Sequence, residues 1–217
     1  MIIDGNVEKL NTKTDSTISA LVYPYWHPFG KYVAFSVNTT SQNFFSHNPN
    51  RIEVYDSASD IVVYDVDRHE ISWSPLTRSK DSFETFPAFS PDGRSLYFCS
   101  AKAVSPMPQE YSKVKYSLCR IAFNQEDASF GDSVDTLYNG AANGKSVSFP
   151  RISPDGRFLV FTLQEYGNFS IWHKDADLWL MNMSTGETRP LEAANSEDVD
   201  SYHSWSGNSR WLVFSSR

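Results

Sequence analysis

Apolar and polar positions change over in short bursts along this chain, and turn residues close each burst. The runs Ser95-Leu96-Tyr97-Phe98-Cys99 and Arg157-Phe158-Leu159-Val160-Phe161 have the length and the aromatic and β-branched content of short buried strands. Each follows a Ser-Pro-Asp-Gly turn, at 90–93 and 153–156. There proline presets φ at the first corner, aspartate bonds nearby backbone, and glycine accepts a positive φ at the exit. The pattern predicts strand, tight turn, strand. No long window carries the 3.6-residue period of an amphipathic helix, so helix is expected only inside inserted loops.

The unit recurs. Phe86-Pro87-Ala88-Phe89 with its turn and following strand reappears as Phe149-Pro150-Arg151-Ile152 with its own. Looser copies start at Tyr23, with Pro28-Phe29-Gly30 in the turn, and at Tyr202, with Gly207-Asn208-Ser209. A second strand pair follows each of the first three copies: 60–66 with 70–73, 116–121 with 135–138, and 177–182 with 187–191. One repeat is therefore four strands, a to d, and a repeated four-stranded antiparallel sheet is a propeller blade. The predicted fold is an all-β propeller of about four repeats in one domain over 1–217, either whole or part of a larger ring. Its turns fall near 28–30, 91–93, 154–156 and 207–209. Trp26, Phe89, Ile152 and Trp205 share one repeat position and are expected to be buried between blades.

Turn glycines at 30, 93 and 156 repeat every 63 residues, against about 40–45 for common blades. The excess lies mainly between strands b and c, over 37–59, 101–115 and 164–176, and in the c–d link of the second blade, 124–132. Residues 1–10 resemble a c–turn–d segment and the chain stops just after a b strand. An incomplete ring is the expectation, with closure by pairing of 211–215 with 1–4 as the alternative.

The motif Pro-x-aromatic-Ser-Pro-Asp-Gly-Arg, followed by Asp177-Leu178-Trp179-Leu180-Met181-Asn182, resembles the TolB-type β-propeller repeat. The resemblance covers nearly the whole chain, two copies closely and two loosely. It implies a bacterial cell-envelope protein, periplasmic, that presents one face to a protein or glycan partner without catalysis. The competing class is a propeller lyase or glycoside hydrolase acting on polysaccharide from the channel mouth. Some TolB-like lyases hold a metal with channel histidines.

Composition narrows these classes. The net charge of −7 and the absence of a basic stripe argue against nucleic acid. The 15% aromatic content suits blades that pack face to face. No apolar run reaches the length of a transmembrane span, and residues 1–4 lack the basic and apolar regions of a secretory signal. Two cysteines make no disulfide framework. Cys99 and Cys119 are expected to be neighbours across one hairpin and to stay free thiols.

No catalytic residue is assigned. There is no Gly-x-Ser-x-Gly elbow, and Asp92 and Asp155 read as turn formers, their glycines directly adjacent. The pairs Asp175 with Asp177 and Asp198 with Asp200 read as solvated loop acids. No metal and no cofactor is assigned. None of His27, His47, His69, His173 and His203 has paired-ligand spacing, and structural roles are the default. The binding candidates lie in the long b–c loops, rich in aromatic, Met and Arg residues of the kind enriched at binding hot spots. Arg51, Tyr166, Trp172 and His173 are expected on one face. The other reading of these loops is that their aromatics fold back and seal the loops against the blades.

Overall fold

The structure is a computed structural model that describes residues 2–3, 5–7, 21–44 and 52–217. It is all-β. The first blade is β3 (Leu21–Trp26), β4 (Tyr32–Phe44), β5 (Ile52–Asp65) and β6 (Glu70–Ser72). The second is β7 (Ser82–Phe89), β8 (Ser95–Lys102), β9 (Ser117–Asn124) and β10 (Ser129–Tyr138), and the third is β11 (Ser146–Ile152), β12 (Phe158–Gln164), β13 (Asp177–Asn182) and β14 (Thr188–Pro190). Each is an antiparallel sheet whose strands pair in chain order, as a propeller blade requires. Two two-stranded sheets accompany them: β1 (Ile2–Ile3) with β2 (Asn6–Val7), and β15 (Asp200–Trp205) with β16 (Leu212–Ser216). Among the described residues no strand pairing joins these two sheets to each other. Among the described residues helix is confined to two 3-10 turns, Tyr111–Lys113 and Ser170–Trp172, both inside b–c connections.

Strand alternation makes each blade two-sided. On β8, Leu96 and Phe98 join a cluster with Ala34, Ile61 and Val63 of the first blade. Tyr97 and Cys99 join a cluster with Phe149, Leu159 and Phe161 of the third. The two cysteines follow the same rule. Cys119 pairs with Phe98 and Cys99 with Leu118, so the thiols lie on opposite faces of the sheet instead of facing each other. Both are free and buried.

The a–b turns are built as the sequence indicates. Ser90 Oγ donates to Asp92 Oδ1 (2.5 Å), Arg94 N–H donates to the same oxygen (3.1 Å), and Ser95 N–H donates to Ser90 Oγ (3.0 Å). Ser153, Asp155, Arg157 and Phe158 repeat the set, and Ser206, Asn208, Arg210 and Trp211 repeat it with Asn for Asp. The hydroxyl bond from Ser153 leads the interactions that hold the Asp155 carboxyl down at about 2. In the first blade His27 stands where serine does elsewhere. Its Nδ1 accepts from Phe29 N–H, and its Nε2–H donates to Gly93 O of the next turn (3.1 Å). Gly93 has φ +70°, and a Cβ there would stand 2.2 Å from His27 Nε2, so two constraints require glycine.

Every a strand carries a bulge at the same repeat position. Pairing registers shift between Val22 and Tyr25, Thr85 and Ala88, Ser148 and Arg151, and Ser201 and Ser204. The first residue inside each bulge is aromatic and left-handed: Tyr23 (φ 52°), Phe86 (54°), Phe149 (50°) and Tyr202 (53°). The second is proline in three copies and His203 in the fourth. Proline has no N–H to give the ladder, so the irregularity falls where a ladder bond is missing anyway. The four rings converge. Tyr23 and Phe86 centroids are 4.4 Å apart, Phe86 and Phe149 4.1 Å, and Phe149 and Tyr202 4.6 Å.

The position expected to supply interblade burial does so unevenly. Phe89 and Ile152 are buried at 1% and 7% exposure, whereas Trp26 is 48% exposed and Trp205 is half-buried. The two tryptophans lie at the rim. Trp205 spends its indole N–H on Arg151 O (3.0 Å). Two expected loops are strands instead. β4 and β5 pair through Asn38↔Ser59 to Phe44↔Ile52, with a bulge at Thr39 and Thr40, so the first insertion is a tall hairpin. In the second blade β10 begins at Ser129 and leaves only a short turn after β9. Replacing Phe89 by Ala is expected to cost about 3–5 kcal/mol in urea unfolding, as for a fully buried phenylalanine.

Candidate functional site

The described part of the β4–β5 hairpin meets the b–c connections of the second and third blades, and what joins them is a buried polar knot. Asp56 of β5 is 1% exposed. Its Oδ2 accepts from Asn38 Nδ2 (2.8 Å) and from Asn168 Nδ2 (2.6 Å), and its Oδ1 accepts from Thr40 Oγ1 (2.5 Å). Burial pushes the Asp56 carboxyl up, and these three donors oppose that push. Asn168, from the third blade's loop, also accepts from the hydroxyl of Tyr111 in the second blade's loop (3.1 Å). Gly167 N–H donates to Val114 O (2.9 Å), and a Cβ on Gly167 would stand 2.2 Å from the Tyr111 hydroxyl. Rings continue the join: Tyr55 to Tyr111 (5.8 Å), Tyr111 to Tyr166 (5.6 Å) and Tyr166 to His173 (4.5 Å). The loops are thus ordered against one another.

This arrangement separates the candidate residues. Tyr166 and His173 face the knot. His173 is 7% exposed, and burial holds its imidazole below the ordinary range. Trp172 instead lines a cleft of about 290 Å³ with Ile171, Lys174, Asp198 and Arg217. Arg51 lies outside the described residues.

A larger cleft of about 1010 Å³, missed in the sequence, opens between the first two blades. Ser57 and Ala58 of the tall hairpin, Trp73 and 78–81 of the d–a connection, and 102–107 of the second b–c loop line it. Phe83, 4% exposed, forms apolar wall, and Met107 adds flexible apolar surface. Trp73 is 45% exposed, with the Arg78 guanidinium 4.7 Å from its ring centroid. Arg78 also pairs with Asp60 at 3.8 Å. The signal available in the sequence was Trp73 at the end of a d strand followed by Arg78 and Lys80, but nothing in their spacing shows that a neighbouring blade completes the cleft.

Below this cleft Glu84 is buried on β7. Ser100 Oγ donates to its Oε1 (3.2 Å), while Oε2 has no hydrogen-bond partner. Burial, with a smaller contribution from the Asp60 charge, pushes the Glu84 carboxyl up to about 7.

The histidines on a strands are bonded into the fold. His203 Nε2–H donates to Val160 O (2.9 Å), and burial drives its imidazole down to about 3. Among the described residues no three His, Cys, Asp or Glu side chains gather as a metal-holding group. No described helix is long and apolar enough to cross a membrane.

No protein-family model matches the chain, and no curated protein matches it. Solved structures do. A putative TolB from Agrobacterium tumefaciens is 22% identical, with a TM-score of 0.49 over 79% of this chain and 49% of that one. TolB from Acinetobacter baumannii is 13% identical, with a TM-score of 0.46 over 89% of this chain and 48% of that one. An oligogalacturonate lyase in complex with manganese is 14% identical, with a TM-score of 0.47 over 90% of this chain and 44% of that one. The chain therefore spans about half the length of these structures.

Glu84 sets a pH dependence. Its folded carboxyl keeps a proton that the unfolded chain releases near 4.5, so stability falls as pH rises from about 4.5 to about 7 and levels off above. Glu84→Gln is expected to flatten that slope, read as the melting temperature across the same pH range.

Proposed function

We propose that this chain is a non-catalytic binding propeller of the bacterial cell envelope, periplasmic in location, which presents its b–c and d–a face to a protein or glycan partner. The observation that carries the reading is the cleft between the first two blades, where an exposed Trp73 stacked with Arg78 stands beside Met107 and apolar Phe83. Aromatic, Arg and Met side chains are the types enriched where binding energy concentrates. The knot centred on Asp56 supports it further, because it fixes the loops before any partner arrives and so lowers the ordering cost of binding. Trp172, at a second cleft on the same loops, extends the surface toward the third blade. Tyr166 and His173 act beneath it as supports. The envelope location follows from the resemblance of the repeat motif.

The test is capture of partner from a bacterial envelope extract by immobilised wild-type protein, compared with Trp73→Ala and Trp172→Ala. Loss of a hot-spot aromatic costs about 2 kcal/mol or more, roughly 30-fold in affinity. At least one variant should weaken capture by that factor while keeping the wild-type circular dichroism spectrum. Equal capture by wild type and both folded variants contradicts the reading. Turnover of polysaccharide by wild type would assign the chain to the competing enzyme class.

A further inference from the structure

The third strand of the first blade, β5, carries an uncovered edge. Its neighbour β6 is only three residues long and pairs with Val63–Asp65 alone. The next position on that side, Ile61, is capped by the d–a connection. Its N–H donates to Thr77 O (2.8 Å), and the Thr77 hydroxyl donates to its C=O (3.4 Å). The third blade is capped in the same manner, where Leu178 N–H donates to Asn195 Oδ1 (2.9 Å) and Asn195 Nδ2 donates to Leu178 O (3.1 Å). There β13 begins at Asp177, so the cap finishes the edge. In the second blade the ten-residue β10 covers β9 from Leu118 to Asn124. The tall hairpin makes β5 different, because it carries the strand past its cap, from Asp60 back to Ile52. Along that stretch β4 pairs with one side, and among the described residues no strand pairs with the other. Such an edge offers alternate N–H and C=O groups to an extended chain laid beside it.

The large cleft between the first two blades follows this edge. Ser57, Ala58 and Asp60 of β5 line it, with Phe83 and Met107 as apolar wall. Its volume of about 1010 Å³ stands at the upper end of the range for small-molecule pockets, about 300–1,000 Å³. Its charge is opposite to that of the chain. Arg78, Lys80 and Lys102 line it against Asp60 and Asp81, while the whole protein carries −7. Arg78 is paired with Asp60. Lys80 and Lys102 are exposed on the cleft, and among the described residues neither forms an ion pair.

We propose that this cleft takes an extended acidic peptide, which adds as a strand to the bare edge of β5. An apolar side chain of the peptide rests on Phe83 and Met107, and a carboxylate meets Lys80 and Lys102. Main-chain bonds along the edge supply affinity, and the side chains of the cleft supply selection. A glycan has no strand to set beside that edge, and the Arg78 guanidinium already lies against the Trp73 ring. The inference rests on the partner surface proposed above and narrows its ligand to one class.

The experiment probes two immobilised arrays of heptapeptides with the fluorescently labelled full chain. In both, Val, Ile, Leu and Phe alternate with Ser and Thr; one array has glutamate ends and the other lysine ends. Glutamate-ended peptides should bind, with a preference of about tenfold or more over lysine-ended ones that shrinks at high salt. The strongest binder is then measured in solution by fluorescence anisotropy with alternate backbone amides N-methylated. One methylation register should cost about tenfold or more and the other little, since only alternate N–H groups of a strand face its partner. Lys80→Glu combined with Lys102→Glu should reverse the preference for glutamate over lysine ends. Both lysines are exposed, so this variant should keep the wild-type circular dichroism spectrum. No binding to either array, equal binding to both, or equal tolerance of the two methylation registers overturns the proposal. If Trp73→Ala still weakens capture from envelope extract in that case, the partner surface stands and only its assignment to a peptide strand falls; if it does not, both fall.

Discussion

Four aromatic rings in left-handed backbone, Tyr23, Phe86, Phe149 and Tyr202, are the contact on which the blades assemble. A bulky residue at positive φ costs on the order of 1–3 kcal/mol, and such a conformation persists only where its surroundings over-determine it. Here the surroundings are the other three copies. Each bulge turns one ring out of the strand's alternation and toward the common centre. Phe86 and Phe149 are buried there, and each aromatic pair contributes roughly 0.5–1.5 kcal/mol. The strain of one blade is thus offset by the rings of its neighbours, and this couples the blades more directly than their separate sheet ladders do.

The polar knot depends on the same geometry. Ser36 Oγ accepts from the N–H of Phe86 (3.0 Å) and meets Thr85 Oγ1 (3.2 Å), and Asn38 Nδ2 reaches that threonine as well as Asp56. The bulge that aims a ring inward therefore also presents hydroxyl and amide groups to the next blade. Thr162 and Ser201 repeat the hydroxyl contact between the third blade and β15 (3.2 Å). At the seam between the second and third blades the corresponding residues are Cys99 and Ser148, and Ser148 Oγ is left without a partner. The two faces of the molecule differ accordingly. The b–c face is tied by charge and amides, and the a–b face by serine and aspartate turns.

Much of this architecture was legible in the sequence because turn chemistry is local. Ser90 to Ser95 and Ser153 to Phe158 form the bonds their residue types demand, and the strands beside them follow from apolar runs. The left-handed aromatics were not legible, since bulky residues normally avoid that region and only the repeated packing holds them there. Trp26 and Trp205 were expected in the core because they share a repeat position with Phe89 and Ile152, but only the latter two are buried. The tall hairpin of β4 and β5 was hidden because Asn38-Thr39-Thr40-Ser41-Gln42 is polar throughout and carries no two-residue period. The site was least legible. Asp56 and Asn168 lie 112 residues apart and meet only through the fold. The same join turns Tyr166 and His173 inward while leaving Trp172 at a cleft, a difference that composition cannot express.

The axial rings hold the blades together cooperatively. A double-mutant cycle on Phe86→Ala and Phe149→Ala, whose centroids are 4.1 Å apart, tests it most directly by equilibrium unfolding in urea. A favourable coupling of about 0.5–1.5 kcal/mol between the two rings is expected, beyond the separate losses of each. Strictly additive losses would show that the rings merely fill space in independent blades, and would contradict it.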